Sequence, residues 1–200
     1  MITKGPNNHI IQQWFSSPVY SGNAQEWAYK LLDPTLKYLK KKNINKDRFY
    51  LGKTTYDTDI NLATQKEFKG FVKYLKSVAN IFVTQLGFDY DKLSRKFNPY
   101  VFATELNKGS FQERHIHNYK LSGILYLKVP PNSAPILFND PVHIREYDPW
   151  PAKEKENLNT WLTIKYVPVV GNLLMWPAWL YHEVPAHPTQ ENRIGLVFNL

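Results

Sequence analysis

Two hundred residues, 43% of them hydrophobic and 15% aromatic, are enough for one sizeable core, so the length fits a single domain or a helical cap fused to one. Lys and Arg total 25 against 17 Asp and Glu, a formal charge of +8 weighted to a lysine-rich N-terminal half; this reads as solvated helix faces or as attraction to an anionic partner. The absence of cysteine excludes disulfides, thiolate metal sites and a Cys nucleophile, so any metal must be held by His, Asp or Glu.

The opening MITKGPNNHIIQQWF lacks the apolar stretch of a secretion signal, and no apolar run approaches membrane-spanning length, so a cytoplasmic protein is expected. Residues 23–42 read as helical. Trp27, Leu31 and Leu32 share one side, then Asp33-Pro34 either restarts the chain as a second short helix or kinks a single one. The clearest helix runs over about 62–86: Phe68, Phe71, Val72, Leu75, Val78, Ala79, Phe82, Val83 and Leu86 keep helical spacing. Lys66, Lys69, Lys73 and Lys76 take the other face, and Gly87 closes the helix. The aromatic stripe is read as core backing a sheet.

After Asn98-Pro99 the texture changes to short apolar runs, YVFATEL, LSGILYLKV, APILFN, WLTIKYVPV, NLLMWP and RIGLVFNL, divided by Pro, Gly, Asn and Asp. The expected class is α+β but mainly β: helix-rich over about 1–94, and a β core over about 95–200. Residues 141–159, PVHIREYDPWPAKEKENLN, form a long polar connection and are read as a lid.

His115 and His117 lie two apart, a spacing that puts both imidazoles on one face of a strand. His182 follows GNLLMWPAWLY, in which Gly171 permits a turn and Pro177 breaks a buried strand. Three imidazoles suit a divalent first-row metal such as Fe(II) and leave about three of six octahedral positions open. Arg193 stands eleven residues after His182 on the last β-like run. A guanidinium inside a barrel needs an anion, and the distal end of a dicarboxylate is a natural bidentate partner. His9, His143 and His187 are read as surface residues, while Trp176 and Trp179 beside His182 are read as core or as site walls.

In order, HIHNYKLSGILYL, ILFNDP, GNLLMWPAWLYHEV and NRIGLVFN resemble the 2-oxoglutarate–Fe(II) oxygenase family with the pattern H-x-H, SG-x-x-Y, P-x-W-L-x-H and R-x-x-x-x-F-N. The resemblance covers about the C-terminal half. It implies a double-stranded β-helix, or jelly roll, backed by the N-terminal helices, with His115, His117 and His182 as iron ligands. It further implies Arg193 as anchor of the distal 2-oxoglutarate carboxylate, with Tyr126 and Ser122 facing the co-substrate. The activity implied is oxidative decarboxylation of 2-oxoglutarate with O2 to succinate and CO2, coupled to hydroxylation of an unidentified substrate.

Two positions depart from the wider superfamily. Most members carry a carboxylate where this chain has His117, so Asp140 or Glu113 is an alternative third ligand. Gly195 stands where many relatives place a serine, which removes one hydroxyl near the distal carboxylate. Two other readings stay open. One is a cupin-type metal protein, for which Arg193 would be superfluous; the other is a non-catalytic basic β-sandwich binding nucleic acid or glycan.

Overall fold

The computed structural model describes residues 2–4, 10–12, 16–41, 52–142, 147, 151 and 162–200. Strands β1 (Ile2–Lys4) and β2 (Ile10–Gln12) pair with each other. Strand β3 (Tyr20–Asn23) leads into helix α1 (Gln25–Leu39). After β4 (Lys53–Thr54) come α2 (Lys69–Gln85) and the short α3 (Tyr90–Ser94).

Pro34 lies inside α1, which continues through it as one helix, burying Ala28, Leu31, Thr35 and Leu39. The long second helix starts later than its apolar spacing predicts. Residues 62–64 and 66–68 are separate 3-10 turns, because Gln65 between them is extended at ψ 142° and Asn61 caps the first turn through its side chain. From Lys69 the pattern holds, with Phe71, Leu75, Val78, Ala79, Phe82 and Val83 buried. Gly87, at φ +83°, ends the segment as expected.

The remaining strands are β5 (Tyr100–Leu106), β6 (Gln112–His115), β7 (Leu121–Lys128), β8 (Ile136–Asn139), β9 (Thr163–Tyr166), β10 (Asn172–Pro177), β11 (His182–Val184) and β12 (Arg193–Asn199). They form two antiparallel sheets. The larger has the order β3-β10-β7-β12-β5-β4, and the smaller β6-β11-β8-β9. Two strands of the N-terminal half, β3 and β4, thus edge the large sheet. Both are too short and polar to announce themselves by alternation.

The helices α1 and α2 and one face of the large sheet share a single apolar cluster in which Leu31, Phe71, Leu75, Leu125, Leu173, Leu196 and Phe198 are fully buried. The opposite face of that sheet, with Ile124, Tyr126, Leu174 and Trp176, packs on Ile136, Phe138 and Leu180. Full burial of each such side chain stabilises the fold by about 1.5–3 kcal/mol. Gly123 permits the crossing of β7 under this load, since a Cβ there would stand 2.2 Å from Phe198 Cζ and 2.3 Å from the Leu174 carbonyl oxygen. Among the described residues, no helix is long and apolar enough to cross a membrane.

Candidate metal centre

His182 opens β11 and is directly paired with His115, the last residue of β6, on one side and with Phe138 of β8 on the other. Directly opposed residues bring their Cβ atoms to about 5 Å, and here the two imidazole centroids are 4.3 Å apart. His117 lies beyond the end of β6, so strand alternation is not what aims it. Its backbone N–H donates to the Ala178 carbonyl at 2.9 Å, docking the chain on the turn before His182. One potential ligand atom from each of the three histidines lies within 4.8 Å of the others.

Hydrogen bonds set the tautomers. His182 Nδ1 donates to the Leu180 carbonyl at 2.9 Å, and His115 Nδ1 to the Glu113 carbonyl at 2.7 Å. Both Nε2 atoms are left as lone-pair donors, the usual arrangement behind a metal-bound imidazole. His117 Nε2 is 3.1 Å from His182 Nε2. Two nitrogens each ~2.1 Å from one metal and at right angles to each other would be about 3 Å apart, so this pair has the spacing of adjacent ligands.

No carboxylate joins the cluster among the described residues. The Asp140 carboxylate accepts the Val142 N–H at 2.9 Å, and Glu113 is exposed. His9 and His143, and most of the 141–159 connection read as a lid, fall outside the described residues. His187 is not a surface residue as expected, being 1% exposed. Its Nδ1 accepts the Ala134 N–H at 3.3 Å and its Nε2 donates to the Glu191 carbonyl at 2.9 Å, so it staples the 185–191 turn to the body of the protein.

All three clustered imidazoles have lowered pKa values. Burial pulls His117 down to about 4, aided by the charge of His115. Burial also holds His115 down against its bond to Glu113. His182 lies well below the ordinary range through burial first and the other two histidines next. The folded chain therefore resists protons that the unfolded chain accepts below pH ~6.5. The stability involved is complete above that pH and is lost as pH falls toward the folded values. Metal-free protein should lose about 2 kcal/mol between pH 6.5 and 5 from His117 alone, a drop in Tm of roughly 4–8 °C. Scanning calorimetry that found a flat Tm across this window would exclude a buried neutral triad.

The histidines stand at a cavity of about 900 Å³, whose lining also includes Tyr56, Thr104, Gln112, Trp176, Arg193 and Asn199. Arg193, the first residue of β12, is 3% exposed; it donates to the Ala134 carbonyl, and its guanidinium carbon lies 5.5 Å from the Tyr126 ring centre. Tyr126 is fully buried behind it and does not line the cavity; its hydroxyl has no hydrogen-bond partner among the described residues, and burial raises its pKa. Ser122 also lies off the cavity wall, donating to Asn199 Oδ1 at 2.7 Å. Trp176 is a cavity wall, whereas Trp179 is 51% exposed rather than core. The space at Gly195 is occupied by its neighbours: a Cβ there would be 3.0 Å from Ile124 Cδ1 and 3.4 Å from Thr104 Oγ1.

Asn199 and Thr104 were not singled out by sequence reasoning. Asn199 had a readable signal, because alternation from Arg193 along β12 places residues 195, 197 and 199 on the cavity face. Thr104 had none without the pairing of β5 to β12, which sets it opposite Gly195.

Three converging imidazoles that could hold one metal ion and a buried guanidinium thus line one cavity between two antiparallel sheets. A model of the family described as "Putative 2OG-Fe(II) oxygenase" matches residues 101–199, and the chain belongs to that 2-oxoglutarate–Fe(II) oxygenase family. It is accordingly an oxidoreductase that uses Fe(II) and 2-oxoglutarate. A comparison with curated proteins returns no match. Among solved structures, a Pseudomonas putida prolyl-4-hydroxylase is similar at 12% identity and TM-score 0.63, over 92% of each chain. A Trichoplax adhaerens prolyl hydroxylase, solved with a hypoxia inducible factor peptide fragment, is similar at 13% identity and TM-score 0.57, over 90% of this chain and 82% of that one. HygX from Streptomyces hygroscopicus, solved with nickel, 2-oxoglutarate and hygromycin B, is similar at 10% identity and TM-score 0.54, over 92% and 83%. At these identities the likeness is one of fold.

Proposed function

We propose that His115, His117 and His182 hold the Fe(II), that Arg193 anchors the distal carboxylate of 2-oxoglutarate, and that the chain hydroxylates a substrate admitted through the same cavity. The observation that carries this reading is the placing of three convergent imidazoles and a buried guanidinium on the lining of one cavity. Strands β5 to β12 act as a double-stranded β-helix, its two sheets contributing the guanidinium and the histidines respectively. When bound, iron and 2-oxoglutarate supply the oxidising chemistry, with succinate and CO2 as co-products. The protein holds the imidazoles neutral and those of His115 and His182 in the metal-binding tautomer, supports the guanidinium, and walls the reaction from water. The cavity volume leaves room for a substrate beside the co-substrate.

Anaerobic titration of the protein with Fe(II) and 2-oxoglutarate should produce the visible metal-to-ligand charge-transfer band of a chelated 2-oxo acid. Its absence would refute the reading. Thr104, opposite Gly195 and donating to its carbonyl at 3.4 Å, offers a hydroxyl beside the position that lacks one, while Tyr126 packs behind Arg193. Replacing Thr104 by Val keeps the shape and removes the donor. Loss of one hydrogen bond to a charged group, worth about 1.5–3 kcal/mol, should weaken 2-oxoglutarate tenfold or more in the same titration. An unchanged affinity would return the missing serine's role to another residue.

A further inference from the structure

Among the described residues, two buried donors on cavity-lining side chains lack an acceptor. Trp176 Nε1 and Asn199 Nδ2 make no hydrogen bond to any described residue, although Trp176 is 2% and Asn199 0% exposed and both side chains line the cavity. A buried donor left unmet carries its full desolvation penalty, so an acceptor arriving with a ligand is favoured at such a place.

The two residues belong to one row of the large sheet. Trp176 on β10 and Asn199 on β12 are both paired with Ser122 on β7, so they flank it on the same face with backbones about 10 Å apart. The Ser122 hydroxyl donates to Asn199 Oδ1 at 2.7 Å, which fixes the amide with its oxygen engaged and its NH2 available. The Trp176 indole is centred 4.9 Å from the His182 ring, placing the row beside the histidines. Arg193 begins the same strand six residues earlier, about 20 Å along it. Arg193 and Asn199 therefore serve different ends of whatever lies along β12.

We propose that Trp176 and Asn199 form a two-donor cradle for the metal-proximal carboxylate of the 2-oxo acid, complementing Arg193 at its distal carboxylate. The inference rests on the co-substrate reading above. Both groups available here donate and neither accepts, so they select an anionic or carbonyl oxygen over a cation. Among the described lining residues the one acidic side chain is Asp57, which lies in the turn after β4 and so leaves the row without a competing carboxylate.

The test uses the full-length Fe(II) protein under anaerobic conditions, titrated with 2-oxoglutarate and with pyruvate, which keeps the 2-oxo carboxylate and lacks the distal one. Trp176→Phe and Asn199→Leu should each weaken both ligands about tenfold, whereas Arg193→Ala should weaken 2-oxoglutarate alone. Trp176→Phe keeps an aromatic wall and the Ser122–Asn199 bond, so it remains informative if Asn199→Leu fails to fold. In Zn(II)-loaded protein the Trp176 indole N–H resonance, identified by its loss in Trp176→Phe, should move downfield when 2-oxoglutarate binds. A resonance that stays in place, or Trp176→Phe binding both ligands as tightly as the parent, would overturn the cradle and leave the donors to the substrate. No charge-transfer band with either 2-oxo acid in the parent protein would instead refute the co-substrate reading itself.

Discussion

Arg193→Ala should retain iron and lose 2-oxoglutarate, with the dissociation constant rising at least a hundredfold. The guanidinium is 3% exposed and is steadied from two directions, by the Ala134 carbonyl that it donates to and by the Tyr126 ring 5.5 Å away. Ala134 is itself held through its own N–H, which donates to His187 Nδ1 at 3.3 Å. The fork is thereby pre-organised to receive a carboxylate through two charge-assisted bonds. Truncation would leave that carboxylate desolvated and unmatched, a cost of about 3–5 kcal/mol for a broken buried pair, or about two to three and a half orders of magnitude in affinity. Arg193→Lys should recover only part of this, because an ammonium cannot address the Ala134 carbonyl and both carboxylate oxygens in one plane. Anaerobic charge-transfer titration reads both variants, and metal analysis shows whether iron is kept. An Arg193→Ala protein that binds 2-oxoglutarate like its parent would remove the anchor from the reading and reopen the cupin alternative.

The residues of this anchor and of the metal cluster were legible in the sequence for different reasons. Long apolar runs such as LSGILYL and RIGLVFN became β7 and β12, buried on both faces, and a strand of that kind carries its own signal. Arg193 was conspicuous as a charge at the start of such a strand. The two strands that hold the metal pair were not legible, because β6 and β11 are four and three residues long and mostly polar. Their register comes from each other and from β8, which places His182 opposite both His115 and Phe138. Sequence spacing correctly grouped His115 with His117 through strand alternation, yet His117 is aimed by the turn at Ala178 after the strand has ended. Long-range pairing likewise hid Thr104 and the row Trp176, Ser122 and Asn199, whose members lie on three separate segments. His187 misled by its flanking prolines, which mark a turn without saying that the turn folds inward onto Ala134.

Replacing any one of the three clustered histidines by Ala should lower iron affinity by more than about 100-fold, beyond what loss of a supporting partner alone produces, while Asp140→Ala should keep its iron. His182 is expected to be the most sensitive. It is 4% exposed, paired to strands on both sides, and oriented through Nδ1 to Leu180, so no neighbour can rotate into its place. His117 is the informative member, since its Nε2 lies 3.1 Å from that of His182 whereas the Asp140 carboxylate is engaged with the Val142 N–H. A neutral third ligand leaves the bound metal more positive by about one charge than a two-histidine, one-carboxylate set would. That added charge should favour the anionic co-substrate and tie iron retention to pH through three imidazoles that must stay unprotonated. Metal analysis of the purified variants after dialysis against a mild chelator separates the two ligand sets. If Asp140→Ala loses iron while His117→Ala retains it, the carboxylate is the third ligand and His117 belongs to the cavity wall.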